Sequence, residues 1–134
     1  MWLESLVWPE QTDRAVRLRS AIEIARQAPP LVIRGDLLTD LSVLAASAPP
    51  DATLVIFHSA VLAYLQSREA IESFVATMSQ LPAVWISNEA PAVLPTVAVR
   101  AKVSLSPSKF LLAVDGEPVA STGPHGQSIE WFAS

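Results

Sequence analysis

The chain contains no cysteine. That absence excludes disulfides, thiolate metal sites and cysteine nucleophiles, and it fits a reducing, cytoplasmic compartment. Glycine is scarce as well, with four in 134 residues. Gly35, Gly116, Gly123 and Gly126 are too scattered to form a phosphate-cradling loop of the Walker or G-x-G-x-x-G kind. Charged residues make up only 16%, nine basic against thirteen acidic, for a formal charge of −4. Nucleic-acid binders usually carry a basic excess or a basic stripe. Here Arg14, Arg17, Arg19 and Arg26 do cluster, but Asp13 and Glu23 are interleaved with them, which is the pattern of a solvated helix face with local ion pairs. No apolar run reaches bilayer length, and the opening Met1-Trp2-Leu3-Glu4-Ser5 has no basic segment ahead of an apolar stretch. Neither nucleic acid nor membrane is an expected partner.

What the chain has instead is apolar surface. Hydrophobic residues make up 51% of it, enough for the core of a single domain over residues 1–134. Eleven prolines mark the joints, among them Pro29-Pro30, Pro49-Pro50, Pro82, Pro91, Pro95 and Pro107. A first helix is expected from Thr12 or Asp13, either of which can cap it, with Ala15, Leu18, Ile22 and Ala25 on one face until Pro29 stops it. A short helix follows over 40–46, with Thr39 as its cap, and another over 60–65. Ile71, Phe74, Val75 and Met78 then form an i, i+3, i+4, i+7 stripe typical of a helix packed on a sheet.

Between these helices lie apolar runs without polar alternation, near 31–35, 53–57 and 83–87. Such runs are expected of parallel strands covered on both faces, and their alternation with helices is the rhythm of βαβ units. The remainder changes period. Residues 97–105 alternate apolar and polar, and 109–114, 117–121 and 128–132 read as further strands. Asp115-Gly116 is a strong two-residue hairpin signal, and Pro118 favours an edge or bulged position. The expected architecture is α/β: a Rossmann-like, three-layer domain with three parallel strands followed by an antiparallel meander.

In open parallel sheets ligands bind beyond the carboxyl ends of the strands. The expected ends carry Asp36, then His58 and Ser59, then Asn88 and Glu89, which together form a candidate ligand-binding rim. Residues in such places are also common loop starts and helix caps. His58, at the tip of a wholly apolar strand, and Glu89 are the catalytic candidates, because a half-buried histidine can serve as acid, base or ligand. His125, in the turn Gly123-Pro124-His125-Gly126, joins the rim only if strand directions allow. A meander that leaves Glu89 by a short connection puts it at the opposite end. Ser59 lacks the G-x-S-x-G context of a nucleophile elbow. Two histidines among scattered carboxylates make no metal signature, so no metal is expected.

Trp8-Pro9-Glu10-Gln11 with Arg14 and Leu18, Phe57-His58-Ser59 with Tyr64-Leu65, Trp85-Ile86-Ser87-Asn88-Glu89, and His125-Gly126 with Glu130-Trp131 run in order through nearly the whole chain. In these pieces it resembles the carboxyl-terminal half of an uncharacterised bacterial family, domain of unknown function 2332. Full-length members are similar to S-adenosylmethionine-dependent methyltransferases. That resemblance implies that Val32-Ile33-Arg34-Gly35-Asp36 matches the third methyltransferase strand, with Asp36 beside the cofactor's adenine. Thr53 to Leu65 matches the fourth strand and its helix. The first strand and its glycine-rich cofactor loop would then lie before residue 1. The implied protein is a partial methyltransferase-like domain, non-catalytic alone and without cofactor unless the other half is supplied. It would assemble as a homodimer or with a partner protein that covers an exposed sheet edge. The alternative is an enzyme or small-ligand binder of unassigned class, built on Asp36, His58 and Glu89.

Overall fold

The protein was analysed as a computed structural model, which describes residues 2–104 and 106–132. The chain divides after Arg34 into two compact units. The first holds a 3-10 turn, Trp2–Leu6, and helix α1, Thr12–Gln27. Gln11 occupies the cap position, one residue before the expected Thr12, and its side-chain oxygen accepts from Arg14 Nη1 at 3.0 Å. The helix stops at Ala28, as Pro29-Pro30 requires. None of its residues is buried.

The strand expected near 31–35 is absent. Residues 31–36 have no regular structure, and Leu31, Val32 and Ile33 are exposed. Three apolar residues between Pro30 and Arg34-Gly35 satisfy a hydrophobic pattern, but a strand also needs a neighbouring backbone to complete its ladder.

The second unit begins at Gly35 and contains everything that positions the candidate site. Asp36 and Asp40 fold the entry to helix α2, Leu41–Ala46: Asp36 Oδ1 accepts from Leu38 N at 2.7 Å, and Asp40 Oδ2 accepts from Asp36 N at 2.8 Å. Asp40, not Thr39, is the cap residue. Strand β1, Val55–Ser59, leads into a 3-10 turn at Leu62–Tyr64 where a longer helix over 60–65 was expected. Helix α3, Arg68–Gln80, is capped by Ser67, whose hydroxyl accepts from Ala70 N at 3.1 Å. Strand β2, Val84–Glu89, follows.

The period-two segment 97–105 is not a strand. Residues Pro95–Ala98 form the short helix α4, with proline at its first turn, and 101–104 are irregular; Leu105 lies outside the described residues. Proline at a helix start presets φ and gives up only a donor that has no partner there, so the local proline outweighed the alternation. Strands β3, Phe110–Val114, β4, Glu117–Thr122, and β5, Ile129–Trp131, complete the sheet.

The sheet runs in the order β1-β2-β3-β4-β5. Only β1 and β2 are parallel, and every later pairing is antiparallel. The expected set of three parallel strands is thus a single pair. Asp115 and Gly116 form the β3–β4 hairpin with φ of 50° and 77°, the backbone that a type I′ turn demands. The β3–β4 register slips between Leu112 and Ala113, opposite Pro118, where a residue without N–H cannot hold a regular ladder.

One face of the sheet carries the core. Trp85, Leu111 and Ala113 pack there with Leu62, Phe74 and Met78, and with Leu94 and Val97 around α4. The expected α3 stripe supplies Phe74 and Met78 as fully buried members, with Ile71 and Val75 packed beside them. Among the described residues, no helix is long and apolar enough to cross a membrane.

Candidate functional site

Side chains alternate between the two faces of a strand, so the rim predicted from sequence is split in two. His58 and Glu89 point to the covered face, while Ser59 and Asn88, each one residue away, point to the other. The register sets His58 opposite Ser87, between Trp85 and Glu89 on the same face of β2. The imidazole bridges these two. His58 Nδ1 lies 2.8 Å from Glu89 Oε1, and Trp85 Nε1 donates to His58 Nε2 at 2.9 Å. An indole N–H can only donate, so Nε2 is the accepting nitrogen and the ring proton sits on Nδ1, donated to the carboxylate. Phe74 closes the cluster, its ring edge-on to His58 at 5.3 Å.

Glu89 Oε1 also accepts from the main-chain N–H groups of Val61 at 2.9 Å and Leu62 at 3.1 Å. The chain reaches that position through Ala60, which has a positive φ of 53° and whose N–H bonds to Asn88 O at 3.1 Å. Glu89 thus ties the end of β1 to the start of the 3-10 turn. Burial opposes its ionisation. The His58 N–H and the two amides together outweigh that, and its carboxyl is held below the ordinary range. Its second oxygen, Oε2, is buried without a hydrogen-bond partner among the described residues.

The cluster is closed to solvent: His58 is 8% exposed, Trp85 7% and Glu89 2%. Both ring nitrogens of His58 are engaged and one carboxylate oxygen takes three donors. This satisfies both imidazole nitrogens and Glu89 Oε1 inside a core, and leaves Glu89 Oε2 as its one oxygen without a partner among the described residues.

On the other face, Asn88 Nδ2 donates to Ser59 Oγ at 3.0 Å and Thr122 Oγ1 donates to Asn88 Oδ1 at 2.7 Å. This chain staples β1, β2 and β4 at the same end of the sheet. His125 is at that end too, contrary to the short-connection expectation. Without a strand over 97–105, β3 is the first to run back from β2 and β4 returns, so the turn after Thr122 lies level with Glu89. That turn is exposed, and His125 N donates to Gln127 Oε1 at 2.9 Å. Asp36 does not join either group. It sits in no strand end, and its carboxylate is occupied by Leu38 N.

Sequence reasoning paired His58 with an acid but missed Trp85, Thr122 and the amides of Val61 and Leu62. Trp85 was readable: it is four residues before Glu89 on one strand, hence on its face, and a buried indole N–H calls for an acceptor. The amides were not, because they depend on the Ala60 turn. Among the described residues, no three His, Asp or Glu side chains are grouped to hold a metal ion.

A family model described as "Uncharacterized protein conserved in bacteria (DUF2332)" matches residues 1–131. No curated protein and no solved structure matches the chain.

Proposed function

We propose, from the premise that this chain belongs to the bacterial DUF2332 family, that it is a methyltransferase-like part-domain. It performs no chemistry alone and acts by assembling with further polypeptide along the β1 edge. The observation that carries this reading is the state of β1. It is an outer strand of the sheet, and its Val55 and Phe57 side chains are 49% and 63% exposed. An apolar strand with an unpaired backbone edge is a template for another strand.

The site chemistry supports the same reading. The two catalytic candidates are locked to each other and to the fold, so their titratable atoms stabilise structure. The cofactor-free part of the reading is supported by Asp36, which the methyltransferase resemblance puts beside the adenine and whose Oδ1 accepts from Leu38 N in a local turn, and by the scatter of the four glycines.

Two measurements on the full chain test the proposal. Isothermal calorimetry with S-adenosylmethionine is expected to show no binding, and a Kd of about 10 μM or tighter would overturn the cofactor-free reading. Amide hydrogen exchange reads the edge directly. The N–H groups of Val55, Phe57 and Ser59 are expected to exchange slowly when the edge is covered, and free exchange at all three at working concentration rules out self-assembly through β1.

A further inference from the structure

The segment that follows β1 is tied to the sheet by few bonds. Val61, Ala63 and Tyr64 are exposed; Leu62 is fully buried in the core, with Leu65 packed partly beside it. Ala60 N donates to Asn88 O, whereas Tyr64 N and Leu65 N donate within the turn itself, to Val61 O and Leu62 O. Among the described residues, no main-chain bond joins residues 61–65 to a strand. Val61 N and Leu62 N instead donate to Glu89 Oε1. A single carboxylate oxygen holds the start of this segment.

The backbone at the joint is held against its preference. Ala60 has a φ of 53°, in a region that costs an alanine free energy because its Cβ crowds the carbonyl oxygen. Such a conformation persists where surrounding bonds over-determine it. Here those bonds are the one from Ala60 to Asn88 and the two from the amides to Glu89.

The closed arrangement also has no place for a proton on Glu89. On Oε1 it would stand against three donors, His58 Nδ1, Val61 N and Leu62 N. On Oε2 it would be a buried donor without an acceptor, and loss of the charge would weaken Oε1 as an acceptor. The titratable side chain facing Glu89 is His58, from β1. Trp85 and Ser87 share its face of β2, β3 sets Leu111 opposite it, the turn supplies Leu62, and α3 brings Phe74 against His58. Among the described residues, no lysine, arginine or second carboxylate bears on its charge.

We infer that residues 60–65 form a strap latched by the charge of Glu89, and that protonating Glu89 releases the strap as a unit while the sheet stays paired. On release Ala60 returns to an ordinary backbone region, Leu62 leaves the core, and His58 and Glu89 open to water. The β1–β2 register ends at Ser59 and Asn88, so the ladder loses only the Ala60 bond beyond it.

Amide exchange of the full chain, corrected for the intrinsic rate at each pH, reads strap and sheet separately. Val61 and Leu62 report on the strap, Ile86 and Ala113 on the sheet. As pH falls below the ordinary carboxyl value of about 4.3, the strap amides are expected to open while the sheet amides stay closed. Glu89→Gln is neutral and carries an amide nitrogen in place of one oxygen. It is expected to raise strap opening about tenfold or more at neutral pH and to abolish the acid response. An acid response retained in Glu89→Gln puts the trigger on His58 and overturns the assignment. Strap and sheet opening only together, in the parent in acid or in a Glu89→Gln chain that fails to fold, means that no separate strap exists. Ala60→Val tests the joint alone. A β-branched side chain at positive φ is strongly disfavoured, so this variant is expected to open the strap at neutral pH with its acid response kept. Unchanged strap exchange in Ala60→Val overturns the strained joint.

Discussion

His58 and Ser59 are neighbours in sequence, as are Asn88 and Glu89, yet each pair is divided by the sheet. On the covered face His58 and Glu89 join Trp85 and two main-chain amides in a closed cluster. On the other face the half-buried Ser59 and Asn88 join Thr122, which is itself buried, in a chain of bonds. The same types of polar residue, one position apart, thus differ in what their removal costs. A buried group left without its partner loses hydration as well as the bond, whereas a half-exposed one is rescued by water.

The largest expected effect is at Glu89. Glu89→Ala strips the acceptor from His58 Nδ1 and from the Val61 and Leu62 amides at once, and is expected to cost about 3–5 kcal/mol in urea unfolding. A loss below about 1 kcal/mol contradicts the closed cluster. The isosteric Glu89→Gln keeps an acceptor oxygen and isolates the charge. Because the Glu89 carboxyl is held below its ordinary value, its contribution is complete above the unfolded carboxyl value, about 4.3. That contribution is lost as pH falls through the lower folded value. The stability gap between the parent and Glu89→Gln is therefore widest near neutral pH and closes in acid. A gap that widens on acidification reverses the assigned direction.

Next is Trp85→Phe, which removes the N–H that His58 Nε2 accepts while keeping an aromatic ring beside Phe74. It is expected to cost about 1–3 kcal/mol. Nitrogen NMR of the imidazole checks the cause, because the parent is expected to show the Nδ1–H form alone and the variant a mixture.

On the other face Asn88→Ala is expected to cost about 1 kcal/mol, since water replaces part of what the half-buried Ser59 loses. A loss equal to that of Glu89→Ala would erase the difference between the faces. The smallest effect is at Phe57. At the exposed Phe57 side chain, Phe57→Ser is expected to change the stability of the fold by no more than about 0.5 kcal/mol. A large loss places that ring in a core.

Much of this was legible in the residues. The α3 stripe, the apolar strands near 53–57 and 83–87 and the Asp115-Gly116 hairpin all follow from local rules: helical period, unbroken apolar runs and the φ a turn requires. The segments 31–35 and 97–105 were not legible, because both satisfied a hydrophobic pattern that their surroundings did not complete. Leu31-Val32-Ile33 lacks a ladder, and Pro95 starts a helix where Val97, Val99 and Ala101 suggested a strand. Whether His125 reaches the rim turned on that segment, since removing one strand from a meander exchanges the ends of every later turn.

The sequence by itself determined that polar residues end strands β1 and β2, because strand ends leave the apolar interior and need hydrogen-bonding side chains. Only the tertiary structure decided which of them are buried together. Strand register and the left-handed turn at Ala60 bring Glu89 onto His58 and onto two amides that are 27 and 28 residues distant in the chain. No local pattern encodes a contact of that separation. It arises from the packing of β1 beside β2, which brings these polar groups into one closed cluster.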